Sequence, residues 1–177
     1  MNGIEMYQLP YPQVVAAMFN REPALNDFGN IVHATLGLVG ETGEVARAST
    51  MADLIEELGD VEFYLQAFVN FTGWATFRGE RAVQPRGMQQ LQVDLMVQAT
   101  ALADCVKKAW VYGPTAFRLA DDRTAAALEG VVDTLDAIYR LLGVSHETVV
   151  TGNVIKLDKK FPGRAFSTAR PVDPLDV

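Results

Sequence analysis

At 177 residues, 49% of them hydrophobic, the chain has the length of a single domain and enough apolar side chains for a sizeable core. A net charge of −7 argues against a sequence-independent grip on nucleic acid, and no apolar run reaches the ~18–20 residues of a membrane span. Cys105 is the only cysteine, which excludes an intrachain disulfide; with no signal-peptide pattern at the start, the expected location is cytoplasmic.

Residues 1–12, with Tyr7, Pro10, Tyr11 and Pro12, predict an irregular arm. A short helix follows over 13–20 with Val14, Val15 and Met18 inward. Asn26 or Asp27 is placed to cap a first long helix over about 28–49. A tight connection at Ser49-Thr50-Met51 leads into a second, ending near Gly73, on which Leu54, Leu58, Val61, Leu65 and Phe68 recur at helical intervals. These two segments, 26–73, predict an antiparallel hairpin. Residues 74–88, rich in Gly, Arg and Pro, read as a linker. A third long helix is predicted over about 89–112, with Leu91, Leu95, Leu102 and Val106 inward and Cys105 in its packing. A fourth spans 122–142, where Leu128, Val131, Val132, Leu135, Ile138, Tyr139 and Leu142 keep a 3.6-residue period. Gly143 stops it, Ser145 caps the next helix over 146–160, and 161–177 reads as an extended tail. No segment alternates with period two. The fold class is all-α, a bundle of antiparallel hairpins.

Charge is uneven along this plan. Residues 1–104 hold 5 basic and 13 acidic side chains, and residues 105–177 hold 10 and 9. An acidic half and a more basic half suit a polyphosphate bridged between them. Within the acidic half, Glu41 with Glu44 and Glu57 with Asp60 each have i,i+3 spacing, which puts both members of a pair on one helix face. Across the hairpin the four carboxylates would face one groove and resist ionising together. A divalent cation removes that conflict, and oxygen-only ligands favour Mg²⁺ first and Mn²⁺ second. His33 shares the stripe of Gly37, Glu41 and Glu44 and points toward the same groove.

At these residues the chain resembles a family. Leu36-Gly37-Leu38 through Glu41-x-x-Glu44, then Glu56-Glu57-Leu58-Gly59-Asp60-Val61 and Tyr64-Leu65, is similar to the MazG-like all-α nucleoside triphosphate pyrophosphohydrolases. The resemblance implies Mg²⁺-dependent hydrolysis of a (deoxy)nucleoside triphosphate to monophosphate and pyrophosphate, with Glu41, Glu44, Glu57 and Asp60 as metal-holding catalytic residues. One glutamate would take the proton of the attacking water; the sequence leaves open which. His33, beside Ala34 to Leu38, is open as a substrate contact. The closing segment Asn153-x-x-Lys156-Leu157-x-Lys159-Lys160-Phe161-Pro162 also resembles the family's, which implies substrate-binding roles for Asn153, Lys156 and Lys160 on one helix face. Arg164 could join them at the β and γ phosphates.

Family members usually carry a lysine pair, an aromatic and Tyr-Gly between the two acidic motifs. Here those pieces come later, as Lys107-Lys108-Ala109-Trp110-Val111-Tyr112-Gly113. Alignment on these landmarks sets Gln98 and Ala101 against Glu41 and Glu44, and Ala127 and Gly130 against Glu57 and Asp60. Residues 89–160 then read as a degenerate second copy plus a closing helix. Such a copy would bring Lys107, Lys108 and Tyr112 to the first copy's site, in one chain or across a homo-oligomer interface. Tyr112, Trp110 or Phe63 could stack on a base.

Three other readings bear on the same residues. A di-iron bundle would need E-x-x-H pairs, and neither His33 nor His146 stands three residues after a glutamate. A non-catalytic nucleotide or metal sensor, and a pyrophosphohydrolase acting on a phosphoribosyl nucleotide, fit the same motifs and remain as alternatives.

Overall fold

The computed structural model describes residues 10–19, 26–76, 78, 86–113 and 122–161. It is all-helical: α1 (Tyr11–Met18), α2 (Asp27–Arg47), α3 (Met51–Thr72), α4 (Met88–Tyr112), α5 (Asp122–Leu142) and α6 (His146–Lys160). The arm before Pro10, most of the linker and the tail after Phe161, Arg164 included, lie outside the described residues. Among the described residues no helix is long and apolar enough to cross a membrane.

The helix ends follow side-chain chemistry. Asn26 Oδ1 accepts from the Gly29 amide at 2.9 Å, Thr50 Oγ1 from Asp53 at 3.1 Å, and Ser145 Oγ from Thr148 at 3.1 Å. Each satisfies a backbone donor that a helix start leaves unpaired. Gly143, at φ 68°, ends α5 in the left-handed conformation open to glycine. One element departs from expectation: α1 begins at Tyr11 instead of residue 13. Pro12 sits in its first turn, where a missing N–H costs nothing.

α2 and α3 form the expected hairpin, and α4 and α5 form a second. The hairpins meet through α2 and α4, which run antiparallel. Gln92 Nε2 donates to the Val45 carbonyl at 2.8 Å near one end, and Phe28 packs on Cys105 and Ala109 near the other. The periodic residues Leu58, Val61, Leu95, Leu102, Val131, Leu135 and Ile138 are all fully buried in one core. Helix α6 returns from the second hairpin to pack on α3 of the first, and α1 lies across α3 and α6. The face of the first hairpin is therefore closed by both ends of the described chain.

A buried ionic cluster fastens the linker to this frame. Glu62, 3% exposed, accepts from Arg78 Nη2 at 2.6 Å and from the Tyr139 hydroxyl at 2.6 Å, with His146 Nε2 3.5 Å away. The other arm of Arg78 reaches Asp136 on α5 at 2.6 Å. Burial is the largest influence on Glu62 and pushes its pKa up. The surrounding donors and charges of His146, Arg78 and Tyr139 together outweigh it and hold the carboxyl below its ordinary value.

Candidate metal centre

The stripe of α2 that faces α3 is narrow at Gly37. A Cβ built there would fall 2.2 Å from Cε1 of Tyr64, so only glycine lets that ring lie against α2. One turn further, Glu41 meets Glu57 and Asp60 of α3. One carboxylate oxygen from each lies within 4.8 Å of the others. Two donors opposite each other on one Mg²⁺ stand about 4.2 Å apart, so a small contraction fits the trio to a hard cation. The donor set, three half-buried carboxylates, has the right chemistry for it.

The electrostatics describe a strained group. Burial first, then the charges of Asp60 and Glu57, raise the Glu41 pKa to about 7. Burial likewise raises Glu57, with Asp60 next. Asp60 is raised by burial against the pull of Lys156. Glu44 is placed differently from its three partners. It stands on the rim, half exposed, and accepts from Arg47 one turn on.

Helix α6 brings two of the predicted residues to Asp60. Asn153 Nδ2 donates to Asp60 Oδ1 at 2.8 Å, and Lys156 Nζ donates to Asp60 Oδ2 at 2.5 Å. Lys156 also reaches Glu56 at 2.9 Å. The approach depends on Gly59, whose absent Cβ would stand 3.0 Å from the Cβ of Asn153. Beside the carboxylates opens a cavity of about 290 Å³, lined by Glu41, Asp60, Lys156 and Lys160 at one end and by Phe19, Phe63 and Tyr64 elsewhere, with His33 on its wall. His33 lies 4.7 Å from Phe19, centroid to centroid, and burial lowers its pKa, which favours the neutral ring.

Lys107, Lys108 and Tyr112 stand elsewhere. Both lysines pair with Asp104 on their own helix, and Tyr112 is exposed beyond them, as is Trp110. Helix direction explains this. The antiparallel packing puts the C-terminal part of α4 against the start of α2, so Lys107 sits near the level of Phe28, thirteen residues before Glu41. That separation is roughly 20 Å along the helix. Within one chain the expected gathering at the carboxylates is confined to the α6 residues. Lys108 lines a different cavity, between α4 and α5, with Gln98, Ala101 and Ala127, and Gln98 packs on Gly130. The four positions aligned with the carboxylates thus share one groove of the second hairpin.

Sequence reasoning left out Tyr11, Phe19, Glu62 and Arg78. For Glu62 a signal existed: it falls four residues after Leu58 and three before Leu65, a charge on an apolar stripe that demands a buried partner. Nothing local marks Arg78 as that partner. Comparison with protein-family models, curated proteins and solved structures finds no match to this chain.

Proposed function

We propose that the chain is a Mg²⁺-dependent nucleoside triphosphate pyrophosphohydrolase of the MazG-like kind. The observation that carries the reading is the convergence of Glu41, Glu57 and Asp60, of which Glu41 and Asp60 line an aromatic-walled cavity together with Lys156 and Lys160. The chemistry a divalent cation supplies when held by these carboxylates is charge neutralisation and acidification of water. Lys156 and Lys160 add fixed positive charge for a polyphosphate, and Asn153 holds Asp60 in place. Phe63, Phe19 and Tyr64 offer ring faces and edges to a base, with neutral His33 as a polar contact on the same wall. The shared groove of Gln98, Ala101, Ala127 and Gly130 supports reading the second hairpin as a copy without carboxylates.

Incubation with mixed nucleoside triphosphates and Mg²⁺, with products resolved by chromatography, tests the reading. The expected products are monophosphate and pyrophosphate in equal amounts. Release of orthophosphate with a diphosphate would set it aside, and tight nucleotide binding without turnover would favour a sensor.

A further inference from the structure

Tyr11 belongs to no predicted motif, yet it reaches the carboxylates through one intermediary. Its hydroxyl donates to Asn153 Oδ1 at 3.2 Å, and Asn153 Nδ2 donates to Asp60 Oδ1 at 2.8 Å. Three helices, α1, α6 and α3, contribute one residue each. We propose that Tyr11 is a positioning residue for the cation site, acting on Asp60 solely through the orientation of the Asn153 amide. The inference rests on the functional reading above.

An amide can present either its oxygen or its NH₂ to a neighbour. The oxygen of Asn153 turned toward Asp60 would set two acceptors against each other. A hydroxyl donor on the opposite side fixes the productive orientation, because the amide oxygen is then engaged by Tyr11. The donor is a dependable one. Tyr11 packs against the apolar cluster of Val14, Met18 and Val154, and burial first, then the charges of Glu62 and Asp60, raise its pKa well above the ordinary value. Close packing fixes the second half of the relay, since Gly59 leaves no slack beneath the Asn153 Cβ. With one oxygen of Asp60 held by Asn153 and the other by Lys156, each keeps a lone pair for a cation. The carboxylate is then aimed before any cation arrives.

The test measures Mn²⁺ binding by the loss of the free-ion paramagnetic resonance signal, with the full chain and its Tyr11→Phe, Asn153→Ala and double variants. Outer-sphere partners of metal ligands commonly change affinity about 10–100-fold when removed. Tyr11→Phe should weaken Mn²⁺ binding about 10-fold, and Asn153→Ala by as much or more. The double variant should be no weaker than Asn153→Ala alone, because the hydrogen bond of Tyr11 goes to Asn153. Circular dichroism melting shows whether each variant is folded; Tyr11→Phe removes one oxygen and keeps the ring. Wild-type affinity in Tyr11→Phe, or losses that multiply in the double variant, would overturn the relay while leaving the proposed function intact. Equal Mn²⁺ binding by wild type and Glu57→Gln would remove the metal site itself, and the relay with it.

Discussion

Gly37 and Tyr64 are in close contact: a methyl group at position 37 would clash with the Tyr64 ring, 2.2 Å from its nearest carbon. That ring is also a wall of the cavity that Glu41 and Asp60 share. Gly37→Ala must therefore drive Tyr64 off α2. We expect a loss of about 1–3 kcal/mol in stability from overpacking, and a raised KM for the triphosphate from the reshaped cavity. Chemical denaturation and steady-state kinetics check the two effects separately.

Glu57 and Glu44 should part company on mutation. Glu57 is one of the three clustered carboxylates, whereas Glu44 is turned to Arg47 at the rim. Glu57→Gln is expected to lose at least about 100-fold in kcat/KM and Glu44→Gln about 10-fold, with helical circular dichroism unchanged. EDTA should abolish turnover and excess Mg²⁺ restore it. Equal, small losses in both variants would mark the carboxylates as a solvated face.

Glu41 ties metal-free stability to pH. Its folded pKa, about 7, stands above the ordinary value of 4.5, so the folded state holds the proton more tightly than the unfolded chain. Below pH 4.5 both states are protonated and no penalty arises. As pH rises from 4.5 toward 7 the unfolded chain gives up this proton while the folded state keeps it, so stability is lost, with the full penalty above 7. Glu41→Gln should thus match wild type near pH 4 and exceed it in melting temperature at pH 8, both without divalent cations. A gap that fails to widen over this range would contradict the crowded-carboxylate geometry.

Arg78 carries a prediction about the frame. Arg78→Ala strands the Glu62 charge in the core, and breaking a buried pair costs about 3–5 kcal/mol. Replacing Arg78 and Glu62 together with Met and Leu should recover part of the loss, because the Glu62 charge is gone while Asp136 still lacks Arg78. Urea denaturation of the three proteins gives the comparison.

Local chemistry made most of the fold legible. Periodicity in α5, from Leu128 to Leu142, and the caps Asn26 and Ser145 set element positions without any tertiary information. The spacing of Glu41, Glu57 and Asp60 was equally readable, since i,i+3 pairs on a short-looped hairpin can meet in few ways. Contacts that cross between hairpins were not. The place of Lys107 within one chain was not legible, because its sequence neighbours say nothing of which way α4 runs beside α2. Tyr11 was hidden by its setting: an aromatic between two prolines suggests a loop, and only the docking of α1 on α6 gives its hydroxyl a partner.

The clamp on Asp60 has a consequence for how the protein matures. Asn153 and Lys156 follow Asp60 by 93 and 96 residues, and Tyr11 stands 142 residues from Asn153. Contacts of such separation close long loops and carry a large ordering cost, so they form late. A ribosome releases the acidic hairpin well before α6 emerges. During that interval the carboxylates stand together without lysine or amide to steady them, and the nascent chain has the ligands of the proposed cation site but not yet its aim. Competence arrives only with the last described helix, which makes the site a property of the finished chain and not of the hairpin that holds its acids.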